Sequence, residues 1–154
     1  MAIDLSTYGG EQREAGYEGG LIDLNPATIT NLTNDGNATI GFGRAVARSS
    51  ADDTCKAPAA DTDKIIGISV RHVTFAGPGL YNKNVTVPVL REGFIYAIAT
   101  EATARGDGVI SRTAQGGTLG STTGGAAGAG RVAVPGATWE TTTPAGGLGV
   151  VRIN

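Results

Sequence analysis

The chain is short of nearly every residue type that carries chemistry. Its 154 residues include one histidine, one cysteine, one methionine and one tryptophan, with three phenylalanines. A single cysteine, Cys55, excludes an intrachain disulfide, and its polar, turn-like surroundings predict a free surface or partly buried thiol. A lone histidine, His72, leaves no partner for a His/Cys zinc set and no second imidazole for acid–base work. It falls in an alternating strand pattern, which favours a structural role. Charged residues make up only 17% and the formal net charge is −2, so nothing attracts a polyanion and direct nucleic-acid binding is not expected. No apolar run is long enough to span a membrane. Residues 1–20 lack the basic and apolar regions of a signal peptide, so synthesis in the cytoplasm is expected.

Glycine is what the chain has in excess, at 25 residues. About 7% would be ordinary. Glycine packs no side chain and loses the most entropy on folding, so the chain needs many tight turns or stabilisation from a partner. Hydrophobic content is 40%, much of it alanine and valine, which predicts a thin core.

Two regions follow from the pattern. Residues 1–36 carry Gly-Gly pairs, tyrosines and Pro26 with no helical stripe, and read as an extended N-terminal arm. Residues 37–154 read as a β domain. ATIGFGRAVAR has strand-like spacing at Ile40, Phe42 and Val46, and KIIGISVRHVTF is a further strand. VTVPVLREGFIYAIATEA reads as a hairpin turning at Arg91-Glu92-Gly93, and GDGVISR as a tight turn with a short strand. Residues 114–130 form an uncharged Gly-rich stretch expected to be a loop, and Val150, Val151 and Ile153 close the chain as a last strand. Short strands separated by Gly/Pro turns, with no βαβ rhythm, predict an all-β fold: a small barrel or sandwich with an extended arm.

No catalytic, cofactor-binding or metal-binding residues are assigned. Asp52-Asp53 and Asp61/Asp63 match no calcium-loop spacing and read as solvated loop carboxylates. GGAAGAG lies in no βαβ unit and does not read as a dinucleotide loop. Arg105-Gly106-Asp107 spells an adhesion tripeptide, but its physical reading is a turn. The candidate functional residues are instead Tyr8, Tyr17, Leu21, Ile22 and Leu24, apolar or aromatic anchors on the arm suited to contact with another subunit.

The order of GYEGGLIDLNPATITN, IGFGRAVAR, KIIGISVRH, VTVPVLREGFIYAIA and GDGV, spanning roughly Gly16 to Arg112, resembles the structural cement, or capsid decoration, proteins of tailed bacteriophages. That resemblance implies a β-tulip or jelly-roll domain on the outer surface of a virion. Its partners would be the major capsid protein and itself, as a homotrimer or a homodimer, with no cofactor and no catalysis. Two other classes remain open: a glycan- or host-binding module stacking sugars on an exposed Trp139 and the tyrosines, and a tail-tube subunit.

Overall fold

The structure is a computed structural model and describes residues 17–22, 26–71 and 80–154. The described residues form eleven strands with no α-helix: β1 (Thr28–Asn34), β2 (Ile40–Gly41), β3 (Ala45–Arg48), β4 (Thr54–Lys56), β5 (Ile65–Ser69), β6 (Leu80–Tyr81), β7 (Thr86–Ile98), β8 (Gly108–Arg112), β9 (Thr118–Ser121), β10 (Arg131–Trp139) and β11 (Leu148–Ile153). The all-β expectation holds, as a closed five-strand barrel with further strands attached.

β7 is the shared spine. Its first half pairs antiparallel with β1 and with β5. β1 pairs parallel with β4, β4 with β3, and β3 with β5, which closes a ring of five strands. Its second half pairs with β11, and β10, β8 and β9 follow in order. This outer sheet curls back on the end of β7 through one parallel bridge, Ala99 to Leu119, with the Thr100 amide donating to the Leu119 carbonyl at 2.9 Å.

The structure departs from four sequence expectations. Arg91-Glu92-Gly93 is no hairpin turn, because the chain runs through it as β7. Gly93, at φ +130°, marks instead where β7 changes partner: Glu92 faces Thr28 of β1, while Gly93 faces Ile153 of β11. A side chain at Gly93 would press on the Pro26 carbonyl and Ala27, so this crossing requires glycine. The single strand expected around Ile40–Val46 is broken into β2 and β3 by a turn at Phe42-Gly43. The Gly-rich loop contains a full edge strand, β9, between two short 3-10 turns. Within the segment read as an arm, Thr28–Asn34 is β1, a strand of the barrel. Its inward residues Leu32 and Asn34 are buried, and the Asn34 amide donates to the Ala38 and Tyr81 carbonyls.

Two apolar cores result. One fills the barrel with Leu32, Val46, Cys55, Val87 and Val89 beside Ile40 and Tyr81. The other lies between the outer face of the barrel and the curled sheet. There Ala45, Ala47, Ile65 and Ile68 meet Ile95, Leu119, Val134, Val151 and the fully buried Trp139. β3 and β5 are therefore covered on both faces, which explains their small and branched composition.

The glycines of residues 116–130 have a packing reason. The Glu101 carboxylate lies where a Cβ on Gly120 or Gly124 would fall. It meets Arg131 at 2.8 Å and Arg112 at 3.7 Å, and Arg131 also donates to the Ser121 and Gly125 carbonyls. The segment wraps this ion cluster closely because it has no side chains to keep it away. Its ends dock on the barrel: the Asp61 carboxylate accepts from the Gly130 amide at 2.9 Å, and the Ala45 amide donates to the Gly117 carbonyl at 2.8 Å.

Candidate interaction surface

Tyr17, Leu21 and Ile22 lie together on a short strap beside the second half of β7. Tyr8 and Leu24 lie outside the described residues, as does His72. The strap is held by backbone bonds. The Gly19 amide donates to the Tyr96 carbonyl at 2.8 Å and the Tyr96 amide to the Gly20 carbonyl at 2.9 Å, while the Arg71 amide donates to the Gly19 carbonyl at 2.8 Å. Leu21 bridges to Ile95 and packs inward against the second core. Ile22, one residue on, bonds Phe94 at 3.4 Å and takes the opposite side.

Side chains fasten the strap further. The Arg71 guanidinium lies 4.8 Å from the Tyr17 ring centre and 5.4 Å from that of Phe42, a cation placed on two aromatic faces. Glu18 pairs with Arg44 at 3.2 Å. Burial raises the Glu18 carboxyl above its ordinary pKa, and the Arg44 charge opposes that rise. Tyr17 remains 42% exposed, its ring lying over Gly20, where a Cβ would collide with it.

The strap borders an apolar face that the sequence reading missed. Along β7 and the residue that follows it, Ile95, Ala97 and Ala99 are buried, so Phe94, Tyr96 and Ile98 point outward. The register sets Arg152, Val150 and Leu148 of β11 directly across from them. Ile98 and Leu148, a cross-strand pair, are 37% and 40% exposed. Tyr17, Ile22, Phe94, Tyr96, Ile98, Val150 and Leu148 thus form one outward strip over three adjacent segments. Arg152, near Glu140 at 3.9 Å, supplies a charged margin. Strand alternation normally puts polar residues on a solvent-facing side. A contiguous apolar strip with a polar rim is the composition of a binding surface. The available signal was the unbroken apolar run of FIYAI set against LGVVRI, whose pairing sequence alone does not reveal.

Other sequence candidates are placed differently. Trp139 is fully buried and its Nε1 donates to the Gly120 carbonyl at 3.0 Å, so it offers no stacking face; the expectation of an exposed tryptophan is corrected. Cys55 is fully buried in β4 rather than at the surface, and burial, with the Asp35 charge added, pushes its thiol up to about 11. The Arg105-Gly106-Asp107 turn keeps its carboxylate occupied. Asp107 accepts from Thr123, from the Ala104 amide at 2.8 Å and from Ser121 at 2.7 Å, and these bonds hold its pKa below the usual carboxylate range. Asp63 is not simply solvated: it pairs with Lys56 at 2.8 Å and accepts from the Ala59 and Ala60 amides. Among the described residues no group of three or more His, Cys, Asp or Glu is arranged to hold a metal ion.

A family model described as structural cement protein (E217 gp24/Pam3 gp6) matches residues 5–154. No curated protein matches the chain significantly. Among solved structures, a chain from the capsid of Myoviridae phage XM1 is similar, with a TM-score of 0.69 and 23% identity over 90% of this chain and 89% of that one. At that identity the likeness is one of fold.

Proposed function

Because the chain belongs to the phage structural cement protein family, we propose that it is a non-enzymatic virion protein that binds the outer surface of a capsid and ties neighbouring major capsid subunits together. The observation that carries this reading is the apolar strip of Tyr17, Ile22, Phe94, Tyr96, Ile98, Val150 and Leu148. The strip lies on paired strands and a strap bonded to them, so little order is lost when a partner covers it. Repeated over a shell, many modest contacts of this kind add to a strong restraint against expansion.

The arm contributes from the strap toward the chain start. Tyr8, Tyr17, Ile22 and Leu24 contact the shell or a neighbouring copy, and Leu21 anchors the strap from inside. The copies associate as a homotrimer, with a homodimer as the alternative, each unit contacting the major capsid protein. The glycan-binding reading loses its main residue with the burial of Trp139.

Co-sedimentation with bare capsid shells tests the proposal. Saturable binding is expected, and removal of residues 1–16 should weaken it while thermal unfolding stays cooperative. Absence of shell binding by the full chain would reject the function. Undiminished binding by the truncated chain would reject the arm's part in it.

A further inference from the structure

We propose that the open mouth of the five-strand barrel is a docking pocket for a glutamate side chain presented by another protein. A cavity of about 520 Å³ opens there, with Leu32 and Ile66 contributing its apolar lining. Arg48 and Arg91 line it from two different strands, and Asp52 and Asp53 line it from the loop that follows β3.

The placement of the arginines follows from strand alternation. Val46 and Val89 belong to the barrel core. Arg48 and Arg91 each come two residues later on the same strand, so they continue the inward rows of β3 and β7 past the last apolar layer. Arg48 is exposed and Arg91 half-buried, so both guanidinium groups are within reach of a ligand arriving from solvent, and Arg91 is partly withdrawn from water. Among the described residues neither arginine has an ion-pair partner. Arg91 donates one bond to the Ile66 carbonyl at 3.0 Å, which fixes its position and leaves the rest of its donor fork available.

The pocket selects by chemistry. A carboxylate accepts paired N–H donors from a guanidinium in a planar fork. The apolar residues behind it suit an aliphatic stem, which glutamate has. The two aspartates at the lip oppose a phosphate or polyphosphate, whose charge is larger and less shielded, and they agree with the net negative chain. A single carboxylate on a methylene stem fits the arginines and the apolar wall, and with one negative charge it meets less repulsion from the aspartates than a phosphate does. This site is separate from the apolar strip and does not depend on the cement reading.

The test uses the isotopically labelled full chain and capped tripeptides with a central glutamate or glutamine, followed by amide and arginine side-chain NMR. The glutamate peptide should shift resonances of residues 30, 48–54, 66 and 91, and the glutamine twin should not. R48Q/R91Q should weaken the effect by about tenfold or more, with resonances remote from the mouth unchanged. D52N/D53N should tighten the glutamate peptide and allow inorganic phosphate to bind. The proposal is overturned if the two peptides shift the mouth alike, if neither does, or if R48Q/R91Q binds as well as the parent. It also fails if inorganic phosphate outcompetes the glutamate peptide on the unsubstituted chain.

Discussion

The barrel and the curled sheet are both built from five strands and share β7, yet they close in different ways. The barrel closes by strand pairing: β1 bonds β7 along six registered residue pairs and bonds β4 on its other side. The curled sheet closes by one bridge, Ala99 to Leu119. Side chains supply the rest there. Trp139 reaches from β10 to the Gly120 carbonyl, Glu101 gathers Arg131 and Arg112, and Asp107 ties its own turn to Ser121 and Thr123. Backbone ladders tolerate changes of side chain, whereas a ring closed by a few side chains concentrates its stability in them.

Three substitutions probe that difference, in decreasing order of effect. Trp139→Ala removes the largest buried side chain of the second core and leaves the Gly120 carbonyl without its donor. It should destabilise the protein by about 3–5 kcal/mol in urea unfolding. A loss under about 1 kcal/mol would show that the curled sheet does not depend on it. Glu101→Ala should cost about 2 kcal/mol, reduced from a fully buried pair because Glu101 and Arg131 each keep 17% side-chain exposure. Gly124→Ala should be damaging for the same reason, since its Cβ displaces that carboxylate. The double variant should therefore fall short of the summed single losses by about 1 kcal/mol. Strict additivity would mean that the glycines do not serve the ion cluster.

The smallest effect is one of pH. Hydrogen bonds hold the Asp107 pKa below its unfolded value of about 3.9. Its contribution to stability is thus complete above that pH and is lost as pH falls through the lower folded value. Asp107→Asn should lower the melting temperature at neutral pH, where the carboxylate contributes in full, and flatten its decline in this acidic range, so that variant and parent converge at low pH. An unaltered acid profile would assign the decline to other carboxylates, of which Asp63 has a similarly lowered pKa.

The sequence was legible where alternation and turn chemistry agree. The strands at Ile65–Ser69, Gly108–Arg112 and Leu148–Ile153 follow from it directly. It misled where one residue pattern serves two backbones. Arg91-Glu92-Gly93 has the composition of a hairpin turn, but only the arrival of β1 and β11 on successive lengths of β7 shows that the strand continues. Likewise, the glycines at 120 and 124 look like loop flexibility until Glu101, remote in sequence, is seen to occupy their space. The aromatic and aliphatic residues of the strap were visible as candidate anchors. The strip beside them was not, because it exists only through the pairing of Phe94–Ile98 with Leu148–Arg152. The chain's excess of glycine thus serves close packing of backbone around charge as much as it serves turns.

The central claim is that the outward strip on β7 and β11 is the capsid-facing surface, and I98E/L148E addresses it most directly. Both side chains are exposed, so the variant should fold with a melting temperature near that of the parent. Binding to bare capsid shells, read by co-sedimentation, should weaken by about tenfold or more, since two central apolar contacts become charges that must be desolvated. Shell binding equal to that of the parent, by a variant shown to be folded, would contradict the claim.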